Sequence, residues 1–169
     1  MKRMLLGVGN RLSRDDGVGP AIASELVGSD WIAVDCGTAI ENVAGWVLRE
    51  RPDLLTIVDA AVMGLPPGSV RRLPLGSHNH MLASTHGLPL SFVLDRIGPT
   101  AGRIVLIGVE PEDLSWGEGL SESVAAAASS LIAELRGATD LETIPLHEDG
   151  APSSSPDRPA GEQPHENKL

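Results

Sequence analysis

Tyrosine is absent from this 169-residue chain, and phenylalanine occurs once. With only three tryptophans besides, there is no series of aromatic platforms on which the bases of a single-stranded nucleic acid could stack. Positive charge is also scarce: 13 Lys and Arg stand against 23 Asp and Glu, for a formal charge of -10, and the basic residues are scattered. Binding to a phosphate backbone needs clustered cations, so a nucleic-acid partner is excluded. The one cysteine, Cys36, has no second thiol with which to form an internal disulfide. Met-Lys-Arg leads straight into a strand-like run with no secretory pattern, and a reducing cytoplasm is expected. No apolar stretch approaches the roughly 20 residues that cross a bilayer as a helix, so a soluble protein without a membrane partner is expected. Gly-x-Ser-x-Gly and His-Glu-x-x-His are missing too, and with them the common serine-hydrolase and zinc-protease signatures.

What the chain does have is alternation. Met4 to Gly9 reads as a buried strand, and Val18 to Leu26 as a helix with Val18, Ile22 and Leu26 on one face. Trp31 to Asp35, Leu54 to Asp59 and Arg103 to Val109 read as further strands, with Val70 to Leu73 as a short edge strand. Helices are expected over Asn42 to Arg49 and Leu88 to Ile97. A long one opens at Ser121, with Ser121 as its cap, and runs through the alanine run to Leu135. The pattern predicts an α/β fold: a single three-layer domain with a mostly parallel twisted sheet of about five strands and helices on both faces. From His147 onward there are five acidic and two basic residues and almost no large apolar side chain. The reading is therefore a folded domain over 1–146 and a disordered acidic, Pro- and Ser-rich tail over 147–169.

Asp16, Asp59 and His86 each follow an apolar run. If those runs are neighbouring parallel strands, their carboxyl ends share one crevice, and two carboxylates and an imidazole face each other there. That donor set suits a nickel- or zinc-type ion and leaves coordination positions open for a substrate. Singly, each residue has a plainer reading: Asp16 as a helix-start carboxylate, Asp59 as a turn former and His86 as a loop histidine. Asp15 serves either as a general base or as a capping carboxylate. His78 and His80 form a second possible metal pair in a polar loop without a fixed third ligand. Cys36 has no base nominated for it and reads as a small residue in a tight turn. Gly7-Val8-Gly9 with Asp35 begins like a dinucleotide fingerprint, but Leu12 stands at the third glycine position, and Asp15 and Asp16 would repel a pyrophosphate.

Five segments in order carry a resemblance: Leu-Leu-Gly-Val-Gly-Asn-Arg-Leu-Ser-Arg-Asp-Asp-Gly-Val-Gly-Pro, Asp-Cys-Gly-Thr-Ala-Ile-Glu-Asn, Ile-Val-Asp-Ala, Ser-Thr-His-Gly-Leu-Pro-Leu and Ile-Gly-Val-Glu-Pro-Glu. From about Met4 to Leu135 the chain resembles the hydrogenase maturation endopeptidases, most nearly the branch acting on formate-hydrogenlyase-type, energy-converting nickel-iron hydrogenases. The resemblance implies an endopeptidase that removes a carboxy-terminal peptide from the nickel-loaded large-subunit precursor. It places the metal-binding and catalytic positions on Asp16, Asp59 and His86, with nickel supplied by the substrate. Many relatives have Glu at the position of Asp16 and Gly at that of Cys36, and neither change removes a ligand. Gly37 and Thr38 are candidates for lining the cleft, and a monomer is the expected state. Two other readings remain open: a non-enzymatic nickel-sensing maturation chaperone using the same residues, and a nucleotide-binding α/β protein.

Overall fold

The computed structural model describes residues 1–75, 90–137 and 141–148. Strand β1 (Arg3–Val8) leads through a 3-10 turn at Arg14–Gly17 into helix α1 (Val18–Glu25), and strand β2 (Trp31–Gly37) follows. A 3-10 turn at Ile40–Val43 precedes α2 (Ala44–Glu50), then come β3 (Leu54–Ala60) and β4 (Val70–Leu73). Helix α3 (Leu90–Ile97), strand β5 (Arg103–Val109) and helix α4 (Glu122–Gly137) complete the order. The five strands lie in the order β2-β1-β3-β5-β4, with β4 alone antiparallel, pairing with β5.

Strand pleat sorts the core into two layers, because successive side chains leave opposite faces. Leu5, Val58 and Ile107 pack with Ile22 of α1 and Leu131 of α4 on one side. Met4, Leu6, Ile57 and Leu106 pack with Val47 of α2 and Ile97 of α3 on the other. The expected three-layer α/β domain is the one observed. The second helix departs from expectation at both ends. No side chain caps its start, and the first turn tightens to 3-10 geometry, with the Asn42 amide donating to the carbonyl of Ala39 (3.1 Å). It ends at Arg51, which adopts a left-handed conformation (φ 46°) because the following Pro52 disfavours the right-handed helical region. Near the end of the folded chain, the amide of Arg72 donates to Pro145 and that of His147 to Arg72, so this backbone runs alongside β4.

Strand order fixes where a site can form. The chain leaves β1 for β2 on one side and returns to β3 on the other. The carboxyl ends of β1 and β3 therefore bound the crevice at which open α/β sheets hold their ligands. Glycines let α1 press onto that crevice. A Cβ on Gly19 would stand 2.4 Å from the carbonyl oxygens of Val8 and Val58, and one on Gly7 would stand 2.1 Å from that of Gly19. Gly9, at φ 139°, lies under the Asp16 carbonyl, 1.8 Å from where its Cβ would be. Gly19→Ala should therefore cost about 3 kcal/mol of stability and lower Tm by about 10 °C. Gly45→Ala, in α2 with open space around it, should stabilise by about 0.5 kcal/mol. Thermal and urea denaturation of the two variants checks the contrast.

Candidate functional site

The loop from Gly9 to Gly17 and the end of β3 bring Asp16 and Asp59 to the same crevice, both buried at 5% and 4% exposure. Asp16 is held from below: its Oδ2 accepts a hydrogen bond from the backbone N–H of Asn10 at 2.7 Å. Asp59 is held by its strand, paired with Gly108 of β5, and neither of its carboxylate oxygens accepts a hydrogen bond. A buried carboxylate without donors is costly in its charged form. Burial first, and the neighbouring Asp16 charge second, push the Asp59 carboxyl well above the ordinary aspartate range. The backbone N–H of Ala60 works the other way, without making a hydrogen bond of acceptable distance and angle. The pair thus has one more negative charge than its surroundings stabilise, an arrangement that a proton or a divalent cation relieves.

His86, the third residue expected at this crevice, lies outside the described residues, as do His78 and His80. Among the described residues no group of three or more His, Cys, Asp and Glu side chains is assembled around a metal position. What the structure contributes to an ion site is the aspartate pair.

Asp15 has a different task from its neighbour. It is fully buried, and its carboxylate accepts from the backbone N–H groups of Glu112 (2.9 Å), Asp113 (2.9 Å) and Ser121 (2.7 Å) and from the Ser121 hydroxyl (2.9 Å). Burial alone would raise its pKa, but these hydrogen bonds outweigh it and hold the carboxyl below the ordinary value. Asp15 is a clamp joining the β1–α1 loop to the β5–α4 loop, neither a base nor a cap of its own helix. Ser121 correspondingly spends its hydroxyl on Asp15 rather than on the start of α4, where the sequence suggested a cap.

Other sequence readings are refined. Cys36 lies near the end of β2 and its carbonyl accepts from the Ala39 N–H at 3.2 Å, opening a tight turn as expected, and burial, with a smaller contribution from the Asp35 charge, pushes its thiol up to about 12, which removes it as a nucleophile. The glycines of the fingerprint-like segment accommodate α1 backbone and leave no room for a pyrophosphate there. Asp35, where a ribose-binding carboxylate would stand, pairs with Arg11 at 3.0 Å, and Arg11 also donates to the Pro20 carbonyl and the Ser24 hydroxyl. Glu110 was not singled out. It is 6% exposed, and its Oε2 accepts from the backbone N–H groups of Met63 (2.7 Å) and Leu65 (3.2 Å), fixing the loop that leaves Asp59. Its signals were a carboxylate directly past an apolar strand and its place in the Ile-Gly-Val-Glu-Pro-Glu segment. A cavity of about 290 Å³ between β4, α4 and residues 143–145 is lined by none of these groups.

The family model described as hydrogenase maturation protease matches residues 23–137. The hydrogenase 3 maturation protease of Escherichia coli strain K12 is 30% identical over 141 residues, covering 81% of this chain and 90% of that protein. The solution structure of the endopeptidase HycI from Escherichia coli superposes with a TM-score of 0.80 at 28% identity, covering 88% of this chain and 97% of that one. The crystal structure of the [NiFe] hydrogenase maturation protease HycI from Thermococcus kodakarensis KOD1 gives 0.68 at 32% identity over 80% and 90% of the two chains.

The two aspartates should respond oppositely to pH. Asp59 binds its proton more tightly folded than unfolded, so its ionisation removes stability as pH rises from the ordinary aspartate range through its raised pKa. Asp59→Asn should therefore raise Tm at pH 7, with the gain shrinking as pH falls toward about 4. Asp15 stabilises at neutral pH, and that contribution is lost as pH falls through its depressed pKa. Asp15→Ala, which strands four donors, should cost about 3 kcal/mol at pH 7 and less in acid. Thermal unfolding of wild type and both variants across pH 3 to 8 reads both effects.

Proposed function

The chain belongs to the hydrogenase maturation protease family, and on that premise we propose that it removes a carboxy-terminal peptide from the nickel-loaded large-subunit precursor of a nickel-iron hydrogenase. The energy-converting, formate-hydrogenlyase type is the proposed class, on the resemblance carried by Asp16 and Thr-His-Gly-Leu-Pro-Leu. The observation that carries this reading is the Asp59 carboxylate, buried beside Asp16 with both oxygens unsatisfied. A permanent structural site would surround its ion with a closed donor set. A crevice with a strained carboxylate pair instead suits an ion that arrives with its substrate and leaves with it.

In this account the precursor presents nickel to Asp16 and Asp59, with His86 as the third ligand. Its arrival supplies the positive charge that the buried Asp16–Asp59 pair lacks. The substrate's own ion then polarises the scissile carbonyl or lowers the pKa of a bound water, which attacks it. The C–N bond breaks, and the released amine takes up a proton. Asn10 keeps Asp16 oriented through its backbone N–H, and Glu110 keeps the loop after Asp59 in place. Nickel enters as cargo of the precursor, so the protein itself need hold no metal between turnovers and acts as a monomer on a larger partner.

Substitution separates this role from a structural one. Asp59→Asn should remain folded, and at neutral pH should be more stable than wild type, yet fail to process the precursor. His86→Ala should likewise fold and fail. Intact mass of the nickel-loaded precursor after incubation with each variant is the readout. Cleavage by Asp59→Asn at the wild-type rate would contradict the assignment.

A further inference from the structure

The loops that frame the crevice also carry an apolar patch left open to solvent among the described residues. Trp116 is 76% exposed, Leu12 42% and Leu114 41%. The amide of Gly117 donates to the Leu12 carbonyl at 2.8 Å and that of Arg14 to the Gly117 carbonyl at 2.9 Å, a parallel bridge between Ser13 and Gly117. In such a bridge the residues preceding the paired positions are neighbours, so Leu12 stands beside Trp116, with Leu114 two residues earlier. Both loops are tightly held. Asp15 binds Glu112, Asp113 and Ser121, and Arg14 pairs with Asp113 at 3.2 Å.

The other two tryptophans are engaged within the fold. Trp31 donates to the Leu135 carbonyl at 2.8 Å and Trp46 to Glu50 at 3.2 Å. Trp116 is the most exposed of the three, at 76% against 36% for Trp46, on a loop that loses little entropy when something covers it. Exposed aromatic side chains on ordered backbone are where interface energy concentrates.

We propose that Leu12, Leu114 and Trp116 form the docking patch for the folded body of the hydrogenase large-subunit precursor. This inference rests on the reading of Asp16 and Asp59 as the place where that precursor is cut. Continuity argues for this occupant: Leu12 lies on the loop that carries Asn10, whose N–H holds the Asp16 carboxylate at 2.7 Å. A partner seated on the patch therefore touches the same loop that positions the ion ligand. Charge argues against a second copy of this chain, because the chain as a whole carries -10, although the segments bearing the patch hold exposed residues of both signs, Glu112 and Glu118 around Leu114 and Trp116 and Arg11 and Arg14 around Leu12. The partner surface that fits is an apolar cleft for an indole on a body of opposite net charge, which steers association toward this acidic chain.

Binding and cleavage, measured separately, test this. Nickel-loaded precursor should bind Trp116→Ala about 30-fold more weakly than wild type, and Leu12→Ser should weaken it in the same direction. Val27→Ser should bind like wild type: Val27 is 72% exposed but lies between α1 and β2, at the opposite end of the sheet. Circular dichroism confirms that each variant is folded. Wild-type affinity in Trp116→Ala would overturn the proposal, as would sedimentation showing that Trp116 drives self-association instead. Trp116-dependent binding without any cleavage by wild type would uphold the patch while refuting the proteolytic reading.

Discussion

Backbone lies on backbone where α1 meets the carboxyl ends of β1 and β3, and the site depends on that contact. Gly7, Gly9 and Gly19 remove the side chains that would otherwise separate helix from sheet. The turn at Arg14–Gly17 is thereby drawn down to the β1–β3 crevice, and Asp16 reaches the depth of Asp59. A methyl group at Gly19 would collide with two strand carbonyls, so widening this contact is the first thing that would separate the two aspartates. The same glycines that resemble a nucleotide fingerprint in sequence are used for helix–sheet packing.

Two consecutive aspartates then divide the work. Asp15 collects four hydrogen bonds and ties the β1–α1 loop to the β5–α4 loop, while Asp16 accepts from the backbone N–H of Asn10 and faces Asp59. Asp15 is fully satisfied and structural, and Asp59, which Asp16 faces, has no donor on either carboxylate oxygen. That asymmetry, a rigid frame around a buried carboxyl that the frame leaves without donors, is the observation on which the proposed ion-recognition role rests. Stability is given up locally at Asp59, and under the proposed function the docking precursor brings the ion that restores it.

Much of this was legible in the residues. Val70 to Leu73 and Arg103 to Val109 are strands with the expected bounds, because β-branched and apolar runs closed by Gly, Pro or charge leave little alternative. That Asp16 and Asp59 share one crevice was expected from parallel order, but the depth at which they meet depends on the glycine contacts of α1, which the sequence did not reveal. Side-chain partnerships across the fold could not be read. Asp15 meets residues about a hundred positions away, so its two readings stayed open until the loops were placed. Ser121 looked like a cap for the same reason, since nothing in its local sequence reveals a competing buried carboxylate. Glu110 and Trp116 were passed over because burial and exposure at a strand end and a loop are tertiary properties.

The measurement that bears most directly on the central claim is the intact mass of one hydrogenase large-subunit precursor, prepared with and without nickel and incubated with this protein. The account predicts loss of a carboxy-terminal peptide from the nickel-loaded precursor and no change in the nickel-free one. Equal cleavage of both would contradict recognition through the ion. Binding of the loaded precursor without any change in mass would make the protein a nickel-sensing chaperone.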